Sequence, residues 1–166
     1  MARPSESRRA NGRLGGSDYR ALSAFRQALR KFLAFSEASA HAHGLTAQQH
    51  QAILAIRAWR GPEAMSIGEL ADCLMIKNHS AVGLVARLQE RGLVAREASQ
   101  EDRRRVLLRL TPGGEQVLEA ISHANLAELR GEAEALRELL AAIQSIEERA
   151  PKGRAARKSA PAPIDR

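Results

Sequence analysis

Between residues 77 and 110 the chain carries eight Lys or Arg against four Asp or Glu, and Arg103, Arg104, Arg105 and Arg109 fall close together. Just upstream lie Asn78, His79, Ser80, Val82, Gly83 and Arg87. Hydroxyl and imidazole groups can hydrogen-bond to base edges, a valine can meet a thymine methyl, and a guanidinium pairs well with phosphate. Three adjacent arginines repel one another unless one is paired, as with Asp102, and another meets a phosphate or a narrow groove. The chemistry on offer is recognition of a polyanion, double-stranded DNA above all. A solvated run of charge is the bland alternative.

These residues need a helix and a hairpin to hold them. From Asn78, read as an N-cap, the apolar residues Ala81, Leu84, Val85 and Leu88 keep helical spacing as far as Arg91, and Gly92 stops the helix. His79, Ser80, Val82, Gly83 and Arg87 then lie off the buried stripe. Glycine inside a helix costs about 1 kcal/mol relative to alanine. Gly83 therefore serves either close approach to DNA or close packing against another helix. Leu93–Glu97 and Val106–Leu110 read as two short strands around a polar turn. Thr111-Pro112 starts the next helix, with a capping hydroxyl before a proline at the first helical position.

Upstream, Asp18 is a plausible N-cap for a helix to about Ala40, with Leu22, Phe25, Leu29, Phe32 and Leu33 on one face. Thr46-Ala-Gln-Gln49 and Ser66-Ile-Gly-Glu69 are capping boxes opening two further helices. Beyond Thr111 the helical pattern runs through Leu118, Ile121 and Leu126, breaks near Gly131, and resumes through Leu136, Leu140 and Ile143. The fold class is mainly α with a small β-hairpin wing, a winged helix-turn-helix flanked by helices too apolar for so small a module to cover. The expected division is a disordered basic tail over 1–16, an N-terminal dimerisation helix over 17–44 and a DNA-binding module over 45–111. Dimerisation helices over 112–149 and a second disordered basic tail over 150–166 complete it. A second copy of the chain is the simplest cover for the outer helices.

The net charge of +7 is unevenly placed. Residues 1–16 hold four Arg and one Glu, and residues 150–166 hold five Lys or Arg and one Asp, so the remaining body outside the wing segment is mildly acidic. Concentrated positive charge favours a polyanionic partner. The 166 residues suffice for one core, with 44% apolar but only 3% aromatic residues, a balance that favours helix packing. No apolar run approaches a membrane span, and the N-terminus lacks the apolar region of a secretory signal, so a cytoplasmic protein with no membrane partner is expected. The single cysteine, Cys73, excludes an internal disulfide and suits a reducing compartment.

The elements Leu84–Leu88, Arg91-Gly92-Leu93-Val94, Asp102-Arg103-Arg104 and Leu108-Arg109-Leu110-Thr111-Pro112-Gly113-Gly114 give the chain a family likeness. It resembles the MarR family of winged-helix regulators over roughly residues 18–148. The resemblance implies a homodimer in which the helix from Asn78 reads the major groove. Asp102 braces the wing by pairing with Arg104, and Arg103 is offered to the minor groove, with Arg105 a further wing contact. Two such helices would sit about 34 Å apart on a pseudo-palindromic operator. Gly83 and the Asn78-His79 start depart from the family pattern, which concerns base preference rather than fold.

Members of that family commonly respond to phenolic or other aromatic acids, to oxidants or to metals. The resemblance places an effector pocket between the outer helices and the winged module, lined here by Phe32, Phe35, His41, His43, His50, Leu54 and Trp59. Three histidines with Glu37 as their only nearby carboxylate and no cysteine do not make a convincing metal site, so neither metal nor cofactor is expected. Cys73 is read as a buried structural thiol rather than a redox switch, since reactive thiolates need an electropositive setting and Asp72 adjoins it. No phosphate-binding glycine loop, nucleophile elbow or His-Glu-x-x-His helix is present, and Glu132, Glu134 and Glu138 read as a solvated helix face, so an enzyme is not expected. The expected function is a repressor released from DNA by a small effector. An effector-independent architectural DNA-binding protein, or a redox- or metal-sensing regulator, stands as the alternative.

Overall fold

The computed structural model describes residues 14–99 and 105–149. Their order is α1 (Gly16–Ala42), α2 (Ala47–Ala58), α3 (Ile67–Cys73), α4 (Asn78–Glu90), β1 (Val94–Ala98), β2 (Val106–Leu110), α5 (Pro112–Gly131) and α6 (Ala133–Arg149). Two compact units are distinguished. One joins the described residues up to Gln27 with those from Glu134, and the other is Ala28–Ala133. The division cuts through α1 rather than falling at its end.

Local chemistry sets the helix boundaries. Thr46 and Gln49 close a reciprocal capping box, as do Ser66 and Glu69. Thr111 caps α5 through its hydroxyl, with Pro112 at the first turn. Two expected caps are corrected. Asp18 is the third residue of α1, where its buried carboxylate reaches back to accept the Gly15 N–H at 2.7 Å. Asn78 is the first helical residue of α4, and Lys77 takes the cap position without a side-chain bond. An acidic or amide side chain near a helix start satisfies free N–H groups from several positions, so composition alone does not choose among them.

Three helices end in the same doubly bonded turn, with the residue after the cap in the left-handed region. Gly44 (φ 73°) and Gly92 (φ 68°) occupy it after α1 and α4, and Met75 (φ 53°) after α3. At the last turn Met75 N–H donates to Asp72 O and Ile76 N–H to Ala71 O, at 3.1 and 3.0 Å. A non-glycine residue there costs about 1 kcal/mol or more. Met75 recovers none of that by burial, since it is 91% exposed. Met75→Gly is therefore expected to raise stability by about 1 kcal/mol, less part of the extra freedom glycine gives the unfolded chain, read as a higher denaturant midpoint.

The larger unit carries the core. Leu45, Ile53, Met65, Leu70, Leu84, Val85, Leu88, Val94, Leu108 and Ile121 are fully buried, drawn from α2 to α5, both strands and the intervening turns. The stripe Ala81, Leu84, Val85, Leu88 forms the buried face of α4 as its spacing requires. β1 and β2 pair antiparallel, Val94 opposite Leu110 and Ala98 opposite Val106. The first strand begins one residue later than expected. Leu93 is already engaged at both ends, its N–H donating to Leu88 O and its carbonyl accepting from Thr111 N–H. The hairpin gains a third rung where Ser66 bridges to Leu107 and Leu108 N–H donates to Met65 O at 2.8 Å.

The outer helices behave differently. On α1 the buried apolar positions are the small Ala21, Ala28 and Ala40, whereas Leu22, Leu29 and Leu33 are exposed and Phe25 and Phe32 half-buried. Leu126, Leu136, Leu140 and Ile143 are exposed as well. Within the larger unit, α1 and α5 are tied by Asn125 Nδ2 donating to Ser36 Oγ at 3.0 Å and by a Lys31–Glu132 pair at 3.4 Å.

His50, on α2, is only 4% exposed, and its Nε2 has no hydrogen-bond partner among the described residues. Burial disfavours the charged ring and pushes its pKa below the usual 6.5. The unfolded chain therefore binds the proton more readily, so stability is complete above about pH 6.5 and is lost as pH falls through the unfolded value toward the folded one. Thermal unfolding between pH 8 and 5 should show this decline, and His50→Leu should flatten it. Equal pH profiles for the two proteins would remove the assignment.

Candidate nucleic-acid interface

The surface of α4 opposite its buried stripe presents Asn78, His79, Ser80, Val82 and Arg87, all exposed, with Gly83 half-buried among them. A Cβ built on Gly83 would meet nothing within 4 Å except Arg87 Nη1, at 3.6 Å. Among the described residues no neighbouring helix comes close enough to require the glycine. The C-terminal end of α4 is fastened to the turn before α2, where the Arg91 guanidinium donates to the Gly44 carbonyl.

The hairpin lies beside α4. Arg96 on β1 reaches the Val82 carbonyl with a long 3.4 Å contact, and Arg109 pairs across the strands with Glu97 at 2.8 Å in an exposed position. At the hairpin mouth Ser99 N–H donates to Arg105 O at 3.0 Å. The expected wing brace of Asp102 and Arg104, and the expected groove contact Arg103, lie outside the described residues.

Arg105 is placed differently from the expectation that it faces DNA. Its Nη1 meets Glu63 Oε2 at 3.2 Å and its Nη2 meets Glu69 Oε1 at 3.0 Å. Glu69 also accepts from the Ser66 N–H and hydroxyl, both at 2.7 Å. Those bonds, then the Arg105 charge, hold its carboxyl below the usual range. Glu63 in turn accepts from Ser99 Oγ at 3.3 Å. Nothing in the sequence separates Glu63 from any other surface acid. Only the path of the α2–α3 connection brings it to the wing.

The seven residues expected to line an effector pocket are not gathered into one of the described cavities. His41 is exposed and near Glu37, and His43 is exposed with Nδ1 at 2.9 Å from Ser39 O. His50 is buried, Phe32 is half-buried, and Phe35, Leu54 and Trp59 are exposed. A cavity of about 450 Å³ lies instead at the base of the wing, between the end of α2, the α2–α3 connection, β2 and the start of α5. Of the seven, it takes only Trp59, together with Ile56, Met65, Leu108 and the exposed Arg57–Glu115 pair. Among the described residues no group of three or more His, Cys, Asp or Glu is arranged to hold a metal. Cys73 is exposed, which corrects its expected burial. It falls at the end of α3, past Leu70 and Ala71 that take the core positions. No helix among the described residues is long and apolar enough to cross a membrane.

Residues 43–105 match the model of the MarR family. The chain is 33% identical over 91 residues to the transcriptional activatory protein BadR of Rhodopseudomonas palustris, a match covering 55% of this chain and 52% of that protein. It thus spans about half the length of that relative. AbsC, a MarR family transcriptional regulator from Streptomyces coelicolor, shares the fold with a TM-score of 0.61 at 22% identity, over 82% of this chain and 95% of AbsC. BpsR of Bordetella bronchiseptica, whose DNA binding is regulated by 6-hydroxynicotinic acid, gives a TM-score of 0.56 at 25% identity, over 74% of this chain and 87% of its own.

Proposed function

We propose that the chain is a winged helix-turn-helix transcriptional regulator of the MarR family, whose model residues 43–105 match, and that it binds a pseudo-palindromic operator as a homodimer and controls transcription in response to an aromatic acid. The observation that carries this reading is the uncovered polar face of α4, with Asn78, His79, Ser80, Val82, Gly83 and Arg87 beside a basic hairpin. Its residue types suit base edges, a thymine methyl and phosphate. Arg103, which lies between the two strands in sequence, is the proposed minor-groove contact, with Asp102 and Arg104 as its brace. Dimerisation falls to residues 17–44 and 112–149, supported by the exposed leucines of α1, α5 and α6. An isolated protomer leaves those large side chains in water, and burying each against a second copy contributes about 1.5–3 kcal/mol.

The regulation of BpsR by 6-hydroxynicotinic acid supports release from DNA by a small organic acid. Repression followed by release is the favoured sense of control. BadR, an activatory protein, supports the second reading, in which the bound dimer promotes transcription. A reporter fused to the regulated promoter separates the two. Deleting the gene raises expression from a repressed promoter and lowers it from an activated one.

The first test is titration of the purified protein against fragments of its own upstream region and a scrambled fragment of equal length. Selective binding is expected at physiological salt. For a protein making 6–10 phosphate contacts, affinity should fall about 10³–10⁵-fold between 50 and 200 mM salt. A flat salt response would count against DNA as the partner, and equal binding to both fragments would favour an architectural role.

A further inference from the structure

We propose that Arg105 is a positioning residue, which locks the root of the wing to the start of α3 and so to α4, and does not itself contact DNA. The inference rests on the DNA-binding reading, but its geometry is independent of it. The backbone contacts between Met65–Ser66 and Leu107–Leu108 form a single short line along which the hairpin leaves the module. The root of the hairpin is held there and by its buried Val94, Leu107 and Leu108. Arg105 stands beyond that line, toward the turn, and its guanidinium reaches back to two carboxylates that are each held from elsewhere.

Glu69 is fixed by the Ser66 cap of α3. Glu63 belongs to the α2–α3 connection, whose backbone is held by Trp59 Nε1 donating to Glu63 O at 3.0 Å. It also takes the Ser99 hydroxyl from the opposite edge of the hairpin. The planar fork of arginine suits two acceptors at once, which a lysine ammonium on a flexible stem would not hold in one geometry. The Arg105 side chain is 39% exposed and its partners less so. The pairs are therefore partly shielded, and their value lies in orientation more than in bulk stability. α3 in turn buries Leu70 and Ala71 in the core that holds the α4 stripe. Wing and recognition helix thereby keep one relative setting, as simultaneous engagement of two grooves demands.

The charge count points the same way. One guanidinium between two carboxylates is a cluster of net charge −1, a poor offering to a phosphate. If Arg105 were a DNA contact, removing either acid would free it and strengthen binding. If it positions the wing, removing an acid weakens binding although the protein becomes more positive.

Glu63→Gln, Arg105→Gln and the double variant are to be titrated with the upstream fragment across a salt series. Each single variant is expected to lower specific affinity about tenfold, a size usual for coupled partners in one network. The double variant should be no worse than either single. The slope of log affinity against log salt should stay that of the wild type, since no phosphate contact is lost. Unchanged or tighter binding by Glu63→Gln, or a slope reduced by about one in Arg105→Gln, overturns the proposal. Amide exchange on the free protein supplies the second arm. Exchange at Ser99 and along β1 and β2 should quicken in Arg105→Gln while α2 and α5 keep their wild-type rates. Equal wing exchange in the two proteins overturns the brace even if the wild type fails to select its fragment, a failure that would sink the regulator reading alone.

Discussion

Gly114→Ala is expected to destabilise the protein by about 3 kcal/mol, an overpacking cost at the upper end of its usual range. Alanine is normally the better helix former by about 1 kcal/mol, so a simple propensity argument predicts a gain. The surroundings reverse the sign. A Cβ on Gly114 would stand 2.1 Å from the Leu93 carbonyl oxygen and 3.1 Å from its carbon. That carbonyl has no freedom to withdraw. It accepts the Thr111 N–H at 3.1 Å, and Leu93 is itself buried with its N–H committed to Leu88 O. Thr111 is held in turn by its hydroxyl donating to Gly92 O at 2.6 Å. The start of α5, the end of α4 and the root of β1 therefore meet at one point where only a hydrogen fits. For a chain of this size, 3 kcal/mol is roughly a 10 °C fall in melting temperature. A variant melting with the wild type would show that the backbone approach at Gly114 does not exist in solution.

The Gly92–Gly114 junction also shows what the sequence made legible. Its pieces were readable one by one: a stop glycine, a strand beginning after it, a threonine and proline opening a helix. Their spacing carried the fold class because each boundary is set by neighbours a few residues away. The capping boxes at Thr46 and Ser66 were readable for the same reason, as was the α4 stripe from Ala81 to Leu88. The sequence could not show that Gly113 and Gly114 differ. Each lies near a carbonyl twenty-one residues back, but a Cβ would be an ordinary 3.8 Å from Gly92 O at Gly113 and only 2.1 Å from Leu93 O at Gly114, and that is a tertiary fact. Asp18 stands three positions and Asn78 one position past the cap, not at it as the sequence suggests, because Asp and Asn side chains can satisfy helix N–H groups from several registers.

The candidate interface was legible where it lies on one helix and illegible where it depends on distant segments. Exposure of His79, Ser80, Val82 and Arg87 follows from the periodicity of α4 alone. Arg105 looked like its neighbours in an arginine run, and only the path of residues 59–69 supplies the two acids that claim it. Cys73 sits two residues past Ala71, yet α3 ends there and the thiol leaves the core. The expected effector residues are spread over α1, α2 and the turn between them. Helical spacing gave which of them are apolar, but not whether they converge.

Gly83→Ala should move stability and DNA binding in opposite directions. Here the added methyl meets open space apart from Arg87 Nη1, the far end of a flexible side chain. The ordinary helix preference then applies, and stability should rise by about 1 kcal/mol, seen as a higher denaturant midpoint at unchanged slope. No packing partner among the described residues explains the glycine, and the proposed DNA-binding reading gives it a use on the face that carries Val82 and Arg87. If that face enters a major groove, the methyl displaces the helix from base edges or tilts it. Loss of one good base contact is worth about 1–3 kcal/mol, so affinity for the specific fragment should drop about tenfold or more. Affinity for scrambled DNA, governed by phosphate contacts, should change far less. The pairing of signs is what makes the test decisive. A variant both more stable and fully competent on its specific fragment would move the recognition face off this part of α4. A variant that lost stability would mean that a neighbour reaches Gly83 after all.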